Sequence, residues 1–134
     1  DSQKIKLMNN SASILVLIFI AITFIQSGYD KVFDWKGNVE WLKSHFSKTI
    51  LKNHIPLALG LLVVLEIITG ILSLVGCVEL FVNGGRTFGY YGAIFSSITL
   101  IIMLFGQRLA KDYDGARTIA IYFIPSVLAV FWLS

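Results

Sequence analysis

Four runs of apolar residues, each near the length needed to cross a bilayer, constrain this chain more than any other feature. A spanning helix needs about 20 predominantly apolar residues, with a working range of about 17–25. The runs at about 11–29, 56–82, 87–104 and 118–133 meet or approach that length. Backbone amides in hydrocarbon must be paired within a helix or a closed barrel, and the polar, irregular stretch 30–55 supplies no barrel strands. The expected fold is therefore all-α, a four-transmembrane-helix bundle forming a single integral membrane domain over residues 1–134. Composition agrees: 56% of residues are hydrophobic and the mean hydropathy is +0.77, above the roughly 45–50% apolar content of soluble domains.

The start of the chain has the layout of a signal peptide, with Lys4 and Lys6 ahead of an apolar stretch. No Ala-x-Ala site follows, and the chain continues into Gln26-Ser27-Gly28-Tyr29, so the segment reads as a first spanning helix. The fourth run is short, and Trp132 suits a place among the head groups at its end. Four crossings put both termini on one side. Basic residues in short loops set orientation: loops 30–55 and 105–117 hold eight, against Lys4, Lys6 and Arg86 on the other side. That asymmetry predicts that both large loops are cytoplasmic.

Loop 30–55 carries Lys31, Lys36, Lys43, Lys48 and Lys52 among the aromatics Phe33, Trp35, Trp41 and Phe46. Val39, Leu42 and Phe46 recur at helical spacing, which predicts a short amphipathic helix lying in the interface between the first two spans. It can serve as an anchor and lid for the bundle, or as a recognition element for lipid or substrate.

Several function classes are disfavoured. Basic residues are scattered in twos and threes, with no stripe to track phosphates, so nucleic acid is not an expected partner. Cys77 is the only cysteine, which leaves no intramolecular disulfide, redox pair or thiolate cluster. His45 and His54 both lie in the loop, nine residues apart, whereas haem or metal in a bundle draws histidines from the spanning helices. No intrinsic metal or cofactor site is expected.

Glu66, in Val-Val-Leu-Glu-Ile-Ile-Thr-Gly, is a carboxyl inside an otherwise apolar span. A charge at the bilayer centre costs about 2.5–3.5 kcal/mol on insertion scales and normally points into the bundle toward a partner. On a helix Glu66 shares a face with Leu59, Val63, Thr69, Gly70, Ser73 and Gly76, opposite an apolar face of Leu61, Leu65, Ile68, Leu72 and Val75. Glu66 should line an internal pocket and handle a proton or a ligand. A carboxyl buried there either keeps its proton or meets a cation, and Lys31, Arg108 and Arg117 are the candidates, since their long stems can reach inward. Gln26, Thr69, Gly70, Ser73 and Ser96 are the small or polar residues expected around it.

Gly85, Gly89, Gly92, Ala93 and Ser96 form a small-residue face on the third span that allows close helix packing. Pro125 marks a kink in the fourth. Between these spans, Arg108 and Lys111 suit a helix C-terminus, and Asp114 can cap the next helix. The same cluster could instead form a polar mouth that receives an anionic head group.

Ser27-Gly28-Tyr29-Asp30-Lys31-Val32, then Leu59-Gly60, Leu65-Glu66-Ile67-Ile68-Thr69-Gly70 and Leu74-Val75-Gly76, resemble the DoxX family of small four-helix membrane proteins. The likeness extends over nearly the whole chain, and its pattern falls on Gly28, Lys31, Glu66, Gly70 and Gly76. It implies a multi-pass protein of the bacterial cytoplasmic (inner) membrane. The family takes its name from a subunit linked to thiosulfate:quinone oxidation, and other members are associated with membrane oxidoreductase assemblies. No catalytic set carries over.

Three readings of Glu66 stay open. In the first, the chain is an accessory subunit of a larger membrane assembly, a respiratory or other quinone-linked oxidoreductase, whose Glu66 pocket holds a quinone, a lipid or a proton and whose partners are other membrane subunits. The second is an independent membrane enzyme or carrier that uses Glu66 for proton handling. In the third, Glu66 is only a hydrogen-bonding joint between helices.

Overall fold

The computed structural model describes residues 10–134, and all regular structure among them is helical. Helix α1 spans Ser11–Phe33, α2 Trp35–His45, α3 Ile55–Asn83, α4 Thr87–Leu109 and α5 Tyr113–Leu133. Four of these, all but α2, are long and apolar enough to cross a membrane. The expected four-span, all-α bundle is what the chain forms. Lys4 and Lys6 lie outside the described residues.

Short connections force neighbours in sequence to run antiparallel. Helix α1 packs along α3, α3 along α4 and α4 along α5, while α5 touches α1 more lightly. Close approach depends on glycine at two levels. A Cβ on Gly76 would strike the Gly89 backbone of α4, and one on Gly92 would come within 2.6 Å of Ser73 Oγ. The core between the spans includes Leu17, Ile20, Phe24, Leu80, Ala93 and Leu100. Leu61, Ile68 and Val75 are exposed to the lipid side as expected, with Leu65 and Leu72 partly covered.

Three boundaries differ from the hydropathy reading, for one reason: hydropathy marks where lipid ends, not where hydrogen bonding ends. Helix α1 continues through Asp30 and Lys31 to Phe33, and α4 continues through Gln107 and Arg108 to Leu109. Helix α5 starts at Tyr113, five residues before the apolar run. Its cap is Asp112 and not Asp114: Asp112 Oδ1 accepts from Gly115 N at 2.9 Å, while Asp114 sits in the first turn paired with Arg117. Gly85 belongs to the turn before α4, where its amide donates to Asn83 Oδ1 at 2.7 Å. Gly84, at φ 75°, ends α3 in the left-handed region that glycine tolerates. Helix α5 runs unbroken through Pro125.

The interfacial segment is helix α2. Asp34 begins it by accepting from Gly37 N at 3.3 Å. Val39 is buried against Ile55, Leu59 and Val63 of α3, with Leu42 and Phe46 packed on the same cluster. The C-terminal end of α1, the start of α3, the end of α4 and the start of α5 therefore share one end of the bundle, and α2 lies across it.

Candidate functional site

Helix α3 is 29 residues long, or about 43 Å, and Glu66 lies about 16 Å from its start, inside its middle third. Its side chain is fully buried. The antiparallel packing of α1 brings Gly28 against Ile67 and Glu66, because a side chain at position 28 would hold the helices apart. One turn further along α1, Lys31 extends back toward that contact. Its Nζ is 3.0 Å from Glu66 Oε1, donates to Glu66 Oε2 at 3.3 Å, and donates to Ser27 Oγ at 2.6 Å and Ser27 O at 3.4 Å. The Oε1 contact lies off the hydrogen-bonding direction and is an ion-pair contact only. Ser27, Lys31 and Glu66 thus form one polar knot between α1 and α3.

Of the three cations expected as partners for Glu66, Lys31 is the one beside it among the described residues. Arg108 stacks over the Tyr113 ring, 5.2 Å from its centre. Arg117 pairs with Asp114 at the exposed end of α5. Both arginines point along the bundle end rather than into it, a rotation that charge alone does not reveal.

Glu66 faces a cavity of about 370 Å³. Thr23, Gln26, Ser27 and Asp30 line it from α1, Leu100 and Met103 from α4, and Ile119 and Tyr122 from α5. Ile22 and Gln26 are both lining and exposed, so the cavity opens on the outer surface between α1 and α5. Beside that opening Phe19 stacks on Tyr122, with ring centres 6.0 Å apart. The volume and mixed lining suit a small amphiphile's polar head.

The other expected lining residues take different places. Gln26 is at the cavity; Thr69, Gly70, Ser73 and Ser96 lie deeper in the bundle. Gly70 packs on Ile25, and Ser96 donates to Ala93 O at 2.7 Å. Thr69 Oγ1 and Ser73 Oγ are buried without a hydrogen-bond partner among the described residues. Tyr122 and Met103 were not foreseen as lining residues. Tyr122 could have been found, since it is the one aromatic with a hydroxyl inside the fourth apolar run.

A second cavity of about 300 Å³ lies under α2. Leu42, Phe46, Ile55, Leu59 and Ile102 wall it, and Asn38, His45 and Gln107 add polar atoms. His45 Nε2 is 2.9 Å from Gln107 Oε1 and 3.5 Å from Asp112 Oδ2. The same imidazole stacks on Trp41, with ring centres 4.5 Å apart. Lys31 and Met103 line this cavity too.

No curated protein and no solved structure matches the chain. The DoxX family model matches residues 14–106, which include most of α1, all of α2 and α3, and most of α4. The match covers both members of the Lys31–Glu66 pair and the glycines that bring α1, α3 and α4 together; the chain belongs to the DoxX family.

Proposed function

We propose that this chain is an integral membrane accessory subunit of a larger membrane assembly, a respiratory or other quinone-linked oxidoreductase of the bacterial cytoplasmic membrane. The observation that carries the reading is the cavity at Glu66: a buried carboxylate with its own lysine, at the wall of an amphiphile-sized space that opens sideways toward lipid. A quinone head group fits the chemistry of that lining. The Gln26 amide and Tyr122 hydroxyl can donate to a carbonyl oxygen, and Glu66 can hold or pass a proton. A bound quinone would supply two-electron redox chemistry. Partners would supply the electron route, since this chain has a single cysteine and two loop histidines with which to hold a redox centre. The excess of basic residues in loops 30–55 and 105–117 supports a cytoplasmic location for the end covered by α2.

Native mass spectrometry of the tagged chain, released from its own membrane in mild detergent, tests this. Co-migration with cofactor-bearing subunits supports the accessory role. A lone chain or homo-oligomer carrying a small bound mass overturns it in favour of an independent enzyme or carrier. In that case Glu66→Gln should abolish turnover while insertion stays intact.

A further inference from the structure

The cavity under α2 is separate from the one that Glu66 faces. Glu66 lines only the latter, yet Lys31, whose ammonium rests on Glu66, lines the former. The ion pair therefore stands in the wall between two spaces, with Met103 touching both. We propose that the cavity under α2 binds an anionic amphiphile, a carboxylate or phosphate head on an apolar chain, and that its head competes with Glu66 for the Lys31 ammonium.

Three observations support that occupant. The walls are aliphatic and aromatic, with Leu42, Phe46, Leu59, Leu62 and Ile102 suited to a hydrocarbon chain. The polar groups come from α2 and α4, the Asn38 amide, the His45 imidazole and the Gln107 amide, and α1 adds Lys31 at the wall. The loops at this end of the bundle hold eight basic residues against five acidic ones, so an anion reaching the cavity meets a positive field.

The competition follows from the partners that the ammonium has. It is held by Ser27 and Glu66, and it has three protons to share. Those three protons are already shared between Ser27 and Glu66, so an anionic head in the cavity under α2 draws the ammonium away from these contacts, of which Glu66 is the one competing charge. The other charged and titratable groups at the Glu66 cavity are Asp30 from α1 and Tyr122 from α5, while α4 brings Leu100 and Met103. None of these is a second cation. Occupancy of one cavity thus sets how firmly the carboxylate in the other is held, whatever that other cavity binds.

The test uses the full chain in phosphatidylcholine nanodiscs containing a minor share of phosphatidylglycerol. Bound lipids are counted by native mass spectrometry. In parallel, brominated laurate is titrated against Trp41 fluorescence in a Trp35→Phe, Trp132→Phe background. We expect one anionic molecule per chain and saturable quenching. Retained phosphatidylglycerol identifies a bilayer lipid as the source, saturable laurate binding a free fatty acid, and either supports the proposal. Affinity should fall about tenfold in Lys31→Gln and rise about tenfold in Glu66→Gln, which frees the ammonium. Ala58→Phe, which fills the cavity from the α3 wall, should block binding while leaving the ion pair intact. Equal retention of phosphatidylcholine, or weaker rather than tighter binding in Glu66→Gln, overturns the proposal. The Glu66→Gln arm stands even where Lys31→Gln fails to fold.

Discussion

Lys31 and Glu66 meet at 3.0 Å between α1 and α3, 35 residues apart in sequence, with the carboxylate wholly buried and the lysine side chain 18% exposed. The asymmetry in exposure makes the two halves of the pair unequal. Lys31→Met leaves Glu66 as a buried charge with no counter-ion, and breaking a buried pair in that way costs about 3–5 kcal/mol. Glu66→Gln leaves a lysine that can turn toward the head groups, and its cost should be clearly smaller. Reversible unfolding in mixed micelles checks the order. Equal losses for the two variants would contradict it.

The glycine contacts between α3 and α4 divide in the same testable way. In Gly76→Ala the new methyl meets the Gly89 backbone, which cannot swing aside, so the helices must separate and stability should drop by about 1–3 kcal/mol. Gly60→Ala is the matched control. Its methyl would find only the Trp35 ring at 3.8 Å, an ordinary contact, and the gain in helix propensity should leave it neutral or up to about 1 kcal/mol more stable. Thermal melts of the two variants in one detergent compare them directly.

Asp112 and Asp114 are two residues apart and do different work. Asp112 caps α5 through Gly115 N and reaches His45 with its other oxygen, whereas Asp114 makes only exposed contacts with Arg117 and Thr118. Asp112→Ala should cost about 1 kcal/mol, in the usual range for a lost cap, and should also loosen α2. Asp114→Ala should stay within about 0.5 kcal/mol. Hydrogen exchange of the α2 amides would show the second effect of Asp112→Ala and should be unchanged in Asp114→Ala.

Sidedness has a direct chemical reading. In a Cys77→Ser background, Ser47→Cys in the loop after α2 should resist an impermeant maleimide in intact cells, and Asn83→Cys at the other end of the bundle should react. The reverse pattern would place the basic loops outside.

Much of the architecture is legible in the residues because hydrocarbon allows few alternatives: the four apolar runs could be little other than spanning helices. Where the helices end was less legible. Gln107 and Arg108 are polar, yet they continue α4, since a helix can extend into the head groups once its amides are already bonded. Lys31 stood out as one of three cations, but choosing it over Arg108 and Arg117 requires the rotation of each helix about its axis. Thr69 and Ser73 share the face of Glu66, as their spacing implies, yet tight glycine contacts with neighbouring helices keep them away from the cavity. The space under α2 is built from ordinary leucines, isoleucines and a phenylalanine on three helices, so no single stretch of sequence announces it.

The place of the ion pair in the order of synthesis has a consequence for biogenesis. Lys31 and Glu66 sit on α1 and α3, both made before α4 and α5. An unpaired charge burdens insertion of a span, by about 2.5–3.5 kcal/mol at the bilayer centre, but a hairpin of α1 and α3 already contains both partners. The charges can therefore neutralise one another as that hairpin enters, before α4 or α5 has been made, and the later spans close around a centre that is already electrically quiet.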